Sequence, residues 1–318
     1  MISENTEEYL PMVSIITVFY NRAGLVRSSV GSLLQQTYAN LEIIVVDDGS
    51  TDATLAELKQ LDDPRLRVLT KSNSGFTNSM IWAIAQAKGS IIAVHGAGDI
   101  SYANRIQRQV DALLADEKVG VVGSLVLNPI IGTDKTKIVG AKNGLNFRQT
   151  LLRDNIFTHG EVAFRKSAYD QAGGYRSFFR FSQDLDLWLR MSAHCDYHTV
   201  QEILYERFEI AGSVSASPDK AAIQQRYSEL GRQSAESIDR GGQDLYDQFG
   251  DQALLRMRKS RRLSSKLTRL AQRRVARSRD FHGAAMLAKH ALTERSSPIN
   301  IGSFLLCKGL SLVSPPGR

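Results

Sequence analysis

Between Val13 and Asn128 the chain repeats one pattern: a short β-branched run, a polar turn, and a longer stretch with apolar residues three or four apart. Few folds accept it. The runs Val13–Val18, Leu41–Asp47, Leu66–Thr70, Ser90–His95 and Val119–Leu127 predict strands. The intervening Ala23–Gln36, Thr51–Leu61, Thr77–Ala87 and Asn104–Asp116 predict helices. Such alternation places the chain in the α/β class, with a mostly parallel sheet flanked by helices. Ligands of such sheets bind beyond the carboxyl ends of the strands, so the turns there are the first place to look for a site.

The remaining chain has a different character. With 318 residues there is room for one large domain or two ordinary ones. The net charge of +7 is unevenly spread: Lys and Arg number 21 against 24 Asp and Glu up to Pro218, and 19 against 9 beyond it. A division into residues 11–218 and a basic helical region, 219–318, follows. Cys195 and Cys307 belong to no CxxC or Cys/His cluster, which argues against a disulfide framework or a zinc site. The acidic, polar start MISENTEEYLPM does not read as a signal peptide, and the expectation is a cytoplasmic protein. No apolar run reaches the roughly 18 residues that a membrane-spanning helix needs.

Leu41–Asp47 runs into Asp48-Gly49-Ser50-Thr51-Asp52. Gly49 permits a tight turn, and Ser50, Thr51 or Asp52 can cap the next helix. Capping needs one such residue, whereas this turn places two adjacent carboxylates at a strand's carboxyl end, which favours a functional reading.

Together with Pro11–Arg22 and Leu33-Leu34-Gln35-Gln36-Thr37-Tyr38, this segment resembles the opening of the inverting glycosyltransferases of family 2, which have the Rossmann-like GT-A fold. The resemblance runs over residues 11–215 and implies a nucleotide-sugar-binding half, 11–128, and an acceptor half, 129–218. It implies that Thr17, Tyr20, Asn21, Asp47 and Asp48 hold the donor nucleotide, a UDP-sugar being favoured, with Asp48 accepting from a ring N–H. A carboxylate only accepts hydrogen bonds, which suits that task. Asn73-Ser74-Gly75-Phe76-Thr77-Asn78 is similar to the family's NxG loop. Many relatives continue Ala-Arg-Asn where this chain has Ser79-Met80-Ile81, so Met80 and Ile81 read as core.

Relatives commonly end the fourth strand in Asp-x-Asp-Asp, where carboxylates hold Mg2+ or Mn2+ against the donor diphosphate. Here the segment is His95-Gly96-Ala97-Gly98-Asp99, so the implied metal rests on Asp99, with His95 either joining it or packing. Thr158–Arg165 and Gly173-Gly174-Tyr175-Arg176 resemble the acceptor side. His159 is either a diphosphate or acceptor contact or a loop histidine. Gln183-Asp184-Leu185-Asp186-Leu187-Trp188-Leu189-Arg190 matches the family's Glu-Asp-x-Asp-Leu-Trp-Leu-Arg, which makes Asp184 the implied general base. An inverting transfer needs such a base, because the attacking hydroxyl sheds its proton as the new bond forms. Taken alone, Asp184 reads better as a carboxylate at a helix N-terminus; in register with the other resembling segments, the catalytic reading is favoured. Asp186 and Arg190 form an i,i+4 pair, and Trp188 reads as core. Glu202–Ser217 resembles the closing strand and loop, with Arg207 the nearest cation where relatives often carry a basic residue or histidine.

The tail concentrates eleven Lys and Arg between Arg256 and Arg279 with no acidic residue, around a stripe of Leu263, Leu267 and Leu270. This predicts a basic amphipathic helix that lies on an anionic membrane surface or packs its stripe on the catalytic domain. A second helix within Arg277–Glu294 is expected to pair with the apolar Ile301–Val313 segment. The expected function is sugar transfer to a hydroxyl of a glycan, lipid-linked, in cell-surface polysaccharide synthesis, at the inner face of the membrane. The alternatives are a non-catalytic nucleotide-sugar-binding scaffold and, less favoured for want of interleaved aromatics, a nucleic-acid-binding tail.

Overall fold

The computed structural model describes residues 10–130, 135–208 and 217–313. Its contacts group into two compact units. Among the described residues the first comprises 10–129, 136–177 and 191–208, and the second 130, 135, 178–190 and 217–313. The segment 178–190, which carries Asp184, thus belongs with the C-terminal helices and not with the sheet.

The first unit holds a nine-stranded sheet. Its strands are β1 (Val13–Phe19), β2 (Leu41–Asp47), β3 (Leu66–Thr70), β4 (Ile91–His95), β5 (Ile100–Ser101), β6 (Val119–Pro129), β7 (Thr136–Val139), β8 (Ala163–Arg165) and β9 (Asp196–Glu206). They follow the order β3-β2-β1-β4-β8-β6-β9-β5, with β7 paired to β6. Its helices are α1 (Val26–Leu34), α2 (Thr54–Leu58), α3 (Phe76–Ile84), α4 (Arg105–Ala115), α5 (Phe147–Arg153) and α6 (Lys166–Gln171). Every residue of β1, β2 and β4 is buried, as expected of central parallel strands covered on both faces, whose sequences are runs of Val and Ile.

The first four strands are parallel, as the alternation predicts. Beyond them the sheet is mixed: β8 lies antiparallel between β4 and β6, and β9 returns parallel to β6. The register sets Phe19 beside Asp47, Asp47 beside Thr70, and Thr17 beside His95. The carboxyl ends of four strands therefore share one edge, and the polar turns that follow them gather there.

The second unit contains α7 (Gln183–Met191, through Arg190), α8 (Pro218–Asp239), α9 (Leu245–Phe249), α10 (Ala253–Arg256), α11 (Arg261–Ser278), α12 (Phe281–Glu294) and α13 (Pro298–Val313). Phe179, Tyr227, Leu230 and Ala253 form one core. A second joins Leu263, Leu267 and Ala271 of α11 to Leu287, Ala288 and Ala291 of α12 and Cys307 of α13. The expected pairing of the last two helices is present. The leucine stripe of α11, expected on a membrane surface or on the catalytic domain, packs instead on the neighbouring helices of this second unit: Leu263 and Leu267 are 2% and 1% exposed and cluster with α12 and α13. The small side chains of α12 let the helices approach closely, and α11 gains more by covering them than by facing outward. Arg262 of α11 is held by Glu229 at 2.9 Å and Glu236 at 3.0 Å.

Candidate active site

The turn after β2 is built around its two carboxylates, which do different work. Asp47 is buried, accepting from the Thr70 hydroxyl at 3.1 Å and the Ser50 amide at 3.3 Å, and so closes its own turn. Asp48 faces the loop after β3. Its Oδ1 accepts from Ser79 Oγ (2.7 Å), the Ser74 amide (3.0 Å) and Lys71 Nζ (3.0 Å), and its Oδ2 from the Gly75 amide (2.9 Å). Burial works to raise the Asp48 pKa, but the bonds from Ser79, Ser74 and Lys71, with the Lys71 charge, hold it below the usual carboxylate range. The approach of the two loops depends on Gly49, at φ +74°, where a Cβ would stand 2.6 Å from the Asn73 amide nitrogen.

Asp48 is 1% exposed and its partners are all protein donors. A ring N–H that is to bond it must exchange with one of them. The half-exposed group beside it is Lys71, which also bonds Ser74 Oγ and the Ser72 carbonyl. Neither Lys71 nor Ser79 was marked by the sequence reading. Ser79 stands where many relatives have alanine, and Met80, where they have arginine, is fully buried as expected.

The other donor-side residues surround this cradle. Thr17 lies inside β1, fully buried, its hydroxyl without a partner among the described residues. Tyr20 follows the strand and is 46% exposed. Asn21, at φ +50°, accepts from the Thr51 amide at 2.8 Å and donates its own amide to Ser50 Oγ at 3.0 Å, which laces the turn after β1 to that after β2. Ser50, Thr51 and Asp52 do not cap α2, whose N-cap is Ala53; Asp52 accepts instead from the Thr54 amide at 3.0 Å and hydroxyl at 2.5 Å just inside the helix. His159 meets the Tyr175 hydroxyl at 2.6 Å through Nε2 and packs edge-on against Phe76 at the start of α3.

The turn between β4 and β5 is organised differently from a carboxylate metal site. His95 is fully buried, with Nε2 on Ser29 Oγ (2.9 Å) and Nδ1 on Ser101 Oγ (3.0 Å). Burial and then the Arg105 charge push its pKa well down, so it is a neutral packing residue. Asp99 turns inward: Oδ2 accepts from Tyr205 Oη at 2.7 Å and Oδ1 from the Phe208 amide at 2.9 Å. Burial raises its pKa, against the pull of those two bonds and of the Arg207 and Arg105 charges. The Tyr205 hydroxyl in turn accepts from the Gly96 amide at 2.9 Å. A Cβ on Gly96 would collide with Asp99 Oδ2, and one on Gly160 with the Tyr205 hydroxyl. The glycine at 96 is therefore what lets Asp99 fold back.

This bears on the expected metal. Hard cations need several oxygen ligands. Here one carboxylate is present, it is committed to Tyr205 and Phe208, and among the described residues no group of three His, Cys, Asp or Glu is placed to hold an ion. No protein cage for Mg2+ or Mn2+ is present at Asp99 among the described residues; the expected ion, with water and donor phosphate completing its shell, would have to share that carboxylate with Tyr205 and Phe208.

Beneath the turn lie two buried ionisable groups, Arg105 and Glu161, that sequence patterns did not reveal. Arg105 is fully buried, donating to the Val94 carbonyl (3.1 Å) and the Gly160 carbonyl (2.8 Å). Burial lowers its pKa to about 10, against the influence of Tyr205, Glu161 and Asp99. Glu161 accepts from the Ser124 amide and hydroxyl and from the Thr158 amide, and burial raises it to about 8.

In the second unit, Asp184 is the second residue of α7 and is half-buried. The helix is anchored by Ser182, whose hydroxyl donates to the Gln224 carbonyl of α8 at 3.1 Å. The expected Asp186–Arg190 ion pair is present at 2.6 Å, and Trp188 is core.

The sequence model of glycosyl transferase family 2 matches residues 14–173, half of the chain. The chain belongs to glycosyltransferase family 2. This family 2 glycosyltransferase is 32% identical over 205 residues to EpsE of Bacillus subtilis, named as a glycosyltransferase, covering 62% of this chain and 72% of that one. It is 27% identical over 200 residues to the chondroitin synthase of Pasteurella multocida, covering 62% of this chain but only 20% of that protein. Among solved structures, the mannosyltransferase PcManGT of Pyrobaculum calidifontis, in complex with GDP-Man and Mn2+, shares the fold with a TM-score of 0.56 at 19% identity. That likeness covers 97% of this chain and 89% of the other. TarS 1–349 of S. aureus in complex with UDP-GlcNAc gives 0.56 at 14% identity, over 95% and 91%. Both likenesses bear out the GT-A fold.

Proposed function

We propose that this glycosyltransferase moves a sugar, with inversion, from a nucleotide-diphosphate donor to a hydroxyl of a glycan acceptor in cell-surface polysaccharide synthesis. The observation that carries the reading is the charged, four-donor Asp48 cradle at the carboxyl end of β2 in a chain of family 2. Solved neighbours hold GDP-Man or UDP-GlcNAc, and relatives are named for chondroitin and hyaluronan synthesis, which supports a nucleotide-sugar donor and a polysaccharide product.

In this reading Thr17, Tyr20, Asn21, Asp47 and Asp48 form the nucleotide side, a UDP-sugar being favoured. Tyr20 offers an exposed ring, and Asp48 takes a ring N–H in exchange for a loop donor. Asp184 takes the proton of the attacking hydroxyl; one carboxylate suffices, since the diphosphate leaves without an acid once its charge is met. Arg207, whose charge acts on Asp99, and His159 share the diphosphate side. No step is assigned to a protein-held metal. The acceptor is read as lipid-linked, with the chain peripheral on the inner, anionic face of the membrane through its basic helices.

A second reading, a nucleotide-sugar-binding protein without turnover, is favoured by one observation: the carboxylates common at positions 96 and 98 are glycines, and Asp99 is turned away. A panel of nucleotide sugars, assayed for nucleotide release with and without chelator, separates the two. Asp184-dependent release supports the enzyme; binding without release from any donor and acceptor pair supports the second reading.

A further inference from the structure

With the leucine stripe of α11 buried, the apolar surface of the second unit lies on α13. This helix has no acidic residue and one cation, Lys308. Asn300, Ser303 and Cys307 face inward and are buried. At about 100° per residue, Ile301, Leu305 and Leu312 project from the opposite side. They are 43%, 61% and 77% exposed. Leu306 and Val313 flank them, so the outer face is apolar along its length, a density of exposed large side chains that marks an interaction surface.

Its occupant is indicated by length and charge. Sixteen residues rise about 24 Å, short of the roughly 20 residues a bilayer crossing needs, and no described helix is long and apolar enough to cross a membrane. Against α13 packs α11, which exposes Arg269, Arg273 and Arg277 and contains no acidic residue. Neither helix offers an acidic residue to pair with the cations of a second copy. An anionic bilayer surface instead takes up the apolar face and pairs with the cations.

We propose that α13 is a membrane-docking helix, lying in the plane of the bilayer interface with Ile301, Leu305 and Leu312 at the acyl boundary and the arginines of α11 on anionic headgroups. This rests on the membrane-surface reading above and replaces the leucine stripe of α11 with a different face.

The test is sedimentation of the full chain with vesicles of phosphatidylcholine alone or phosphatidylcholine with phosphatidylglycerol, at low and raised salt. The wild type is expected to be retained on the anionic vesicles, and less so at raised salt. L305Q/L312Q should lower retention by about tenfold or more. R269Q/R273Q/R277Q should remove the preference for anionic lipid, and Leu255→Gln, at an exposed site on α10, should change nothing. As a second readout, Leu305→Trp should shift its emission to the blue on the anionic vesicles. Wild-type protein that ignores anionic vesicles overturns the membrane reading altogether. Retention that survives L305Q/L312Q, with no emission shift, overturns only the assignment to α13. A change in oligomeric state on L305Q/L312Q, with retention intact, makes a second copy the occupant.

Discussion

The Tyr205 hydroxyl donates to Asp99 Oδ2 at 2.7 Å while accepting the Gly96 amide at 2.9 Å, which ties the turn after β4 to β9. Tyr205→Phe strands a buried carboxylate oxygen and an amide, and should cost about 1–3 kcal/mol in chemical denaturation. Because Asp99 is engaged in this way, Asp99→Asn is expected to leave the response of turnover to Mn2+ unchanged. Loss of a titratable Mn2+ site in that variant would restore Asp99 as a ligand.

Lys71 supports Asp48 with a charge and a hydrogen bond. Lys71→Met should raise the Asp48 pKa and weaken UDP binding about tenfold by calorimetry, with Lys71→Arg recovering part of the loss. Hydrogen exchange in residues 71–75 should change on UDP binding, since a base can reach the buried carboxylate only by displacing a loop donor. Unchanged exchange alongside tight binding would place the nucleotide elsewhere.

Gly49→Ala forces a side chain onto a φ of +74° and toward the Asn73 backbone. A destabilisation of about 1–3 kcal/mol is expected, together with weaker nucleotide binding.

Glu161 keeps its proton in the folded chain up to about pH 8, against an ordinary value of 4.5. The folded state therefore binds the extra proton between those limits. Its contribution to stability is complete below about 4.5 and is lost as pH rises through about 8. Glu161→Gln should flatten that part of the stability profile; an unchanged slope from acid to neutral pH would show that Glu161 titrates normally.

The first four strands and their helices were legible because each is a local, strongly periodic segment, and β2 and β3 coincide with the predicted limits. The insertion of β8 between β4 and β6 was not, since three residues paired across long sequence separations carry no period. The β2 turn was legible as a site, but the division of labour within it was not. Which carboxylate closes the turn and which faces Lys71 depends on a loop more than twenty residues away. Likewise, the leucine stripe of α11 announced an amphipathic helix, while the face that would cover it, α12, is known only from packing.

The account's central claim is enzymatic transfer with Asp184 as base, and the most direct measurement compares wild type with Asp184→Asn. Nucleotide release from the donor, in the presence of acceptor, is followed alongside calorimetric donor binding. The account predicts that release falls by about 10²-fold or more while donor affinity stays within about twofold. Release retained at the wild-type rate in a folded, donor-binding Asp184→Asn chain would contradict it.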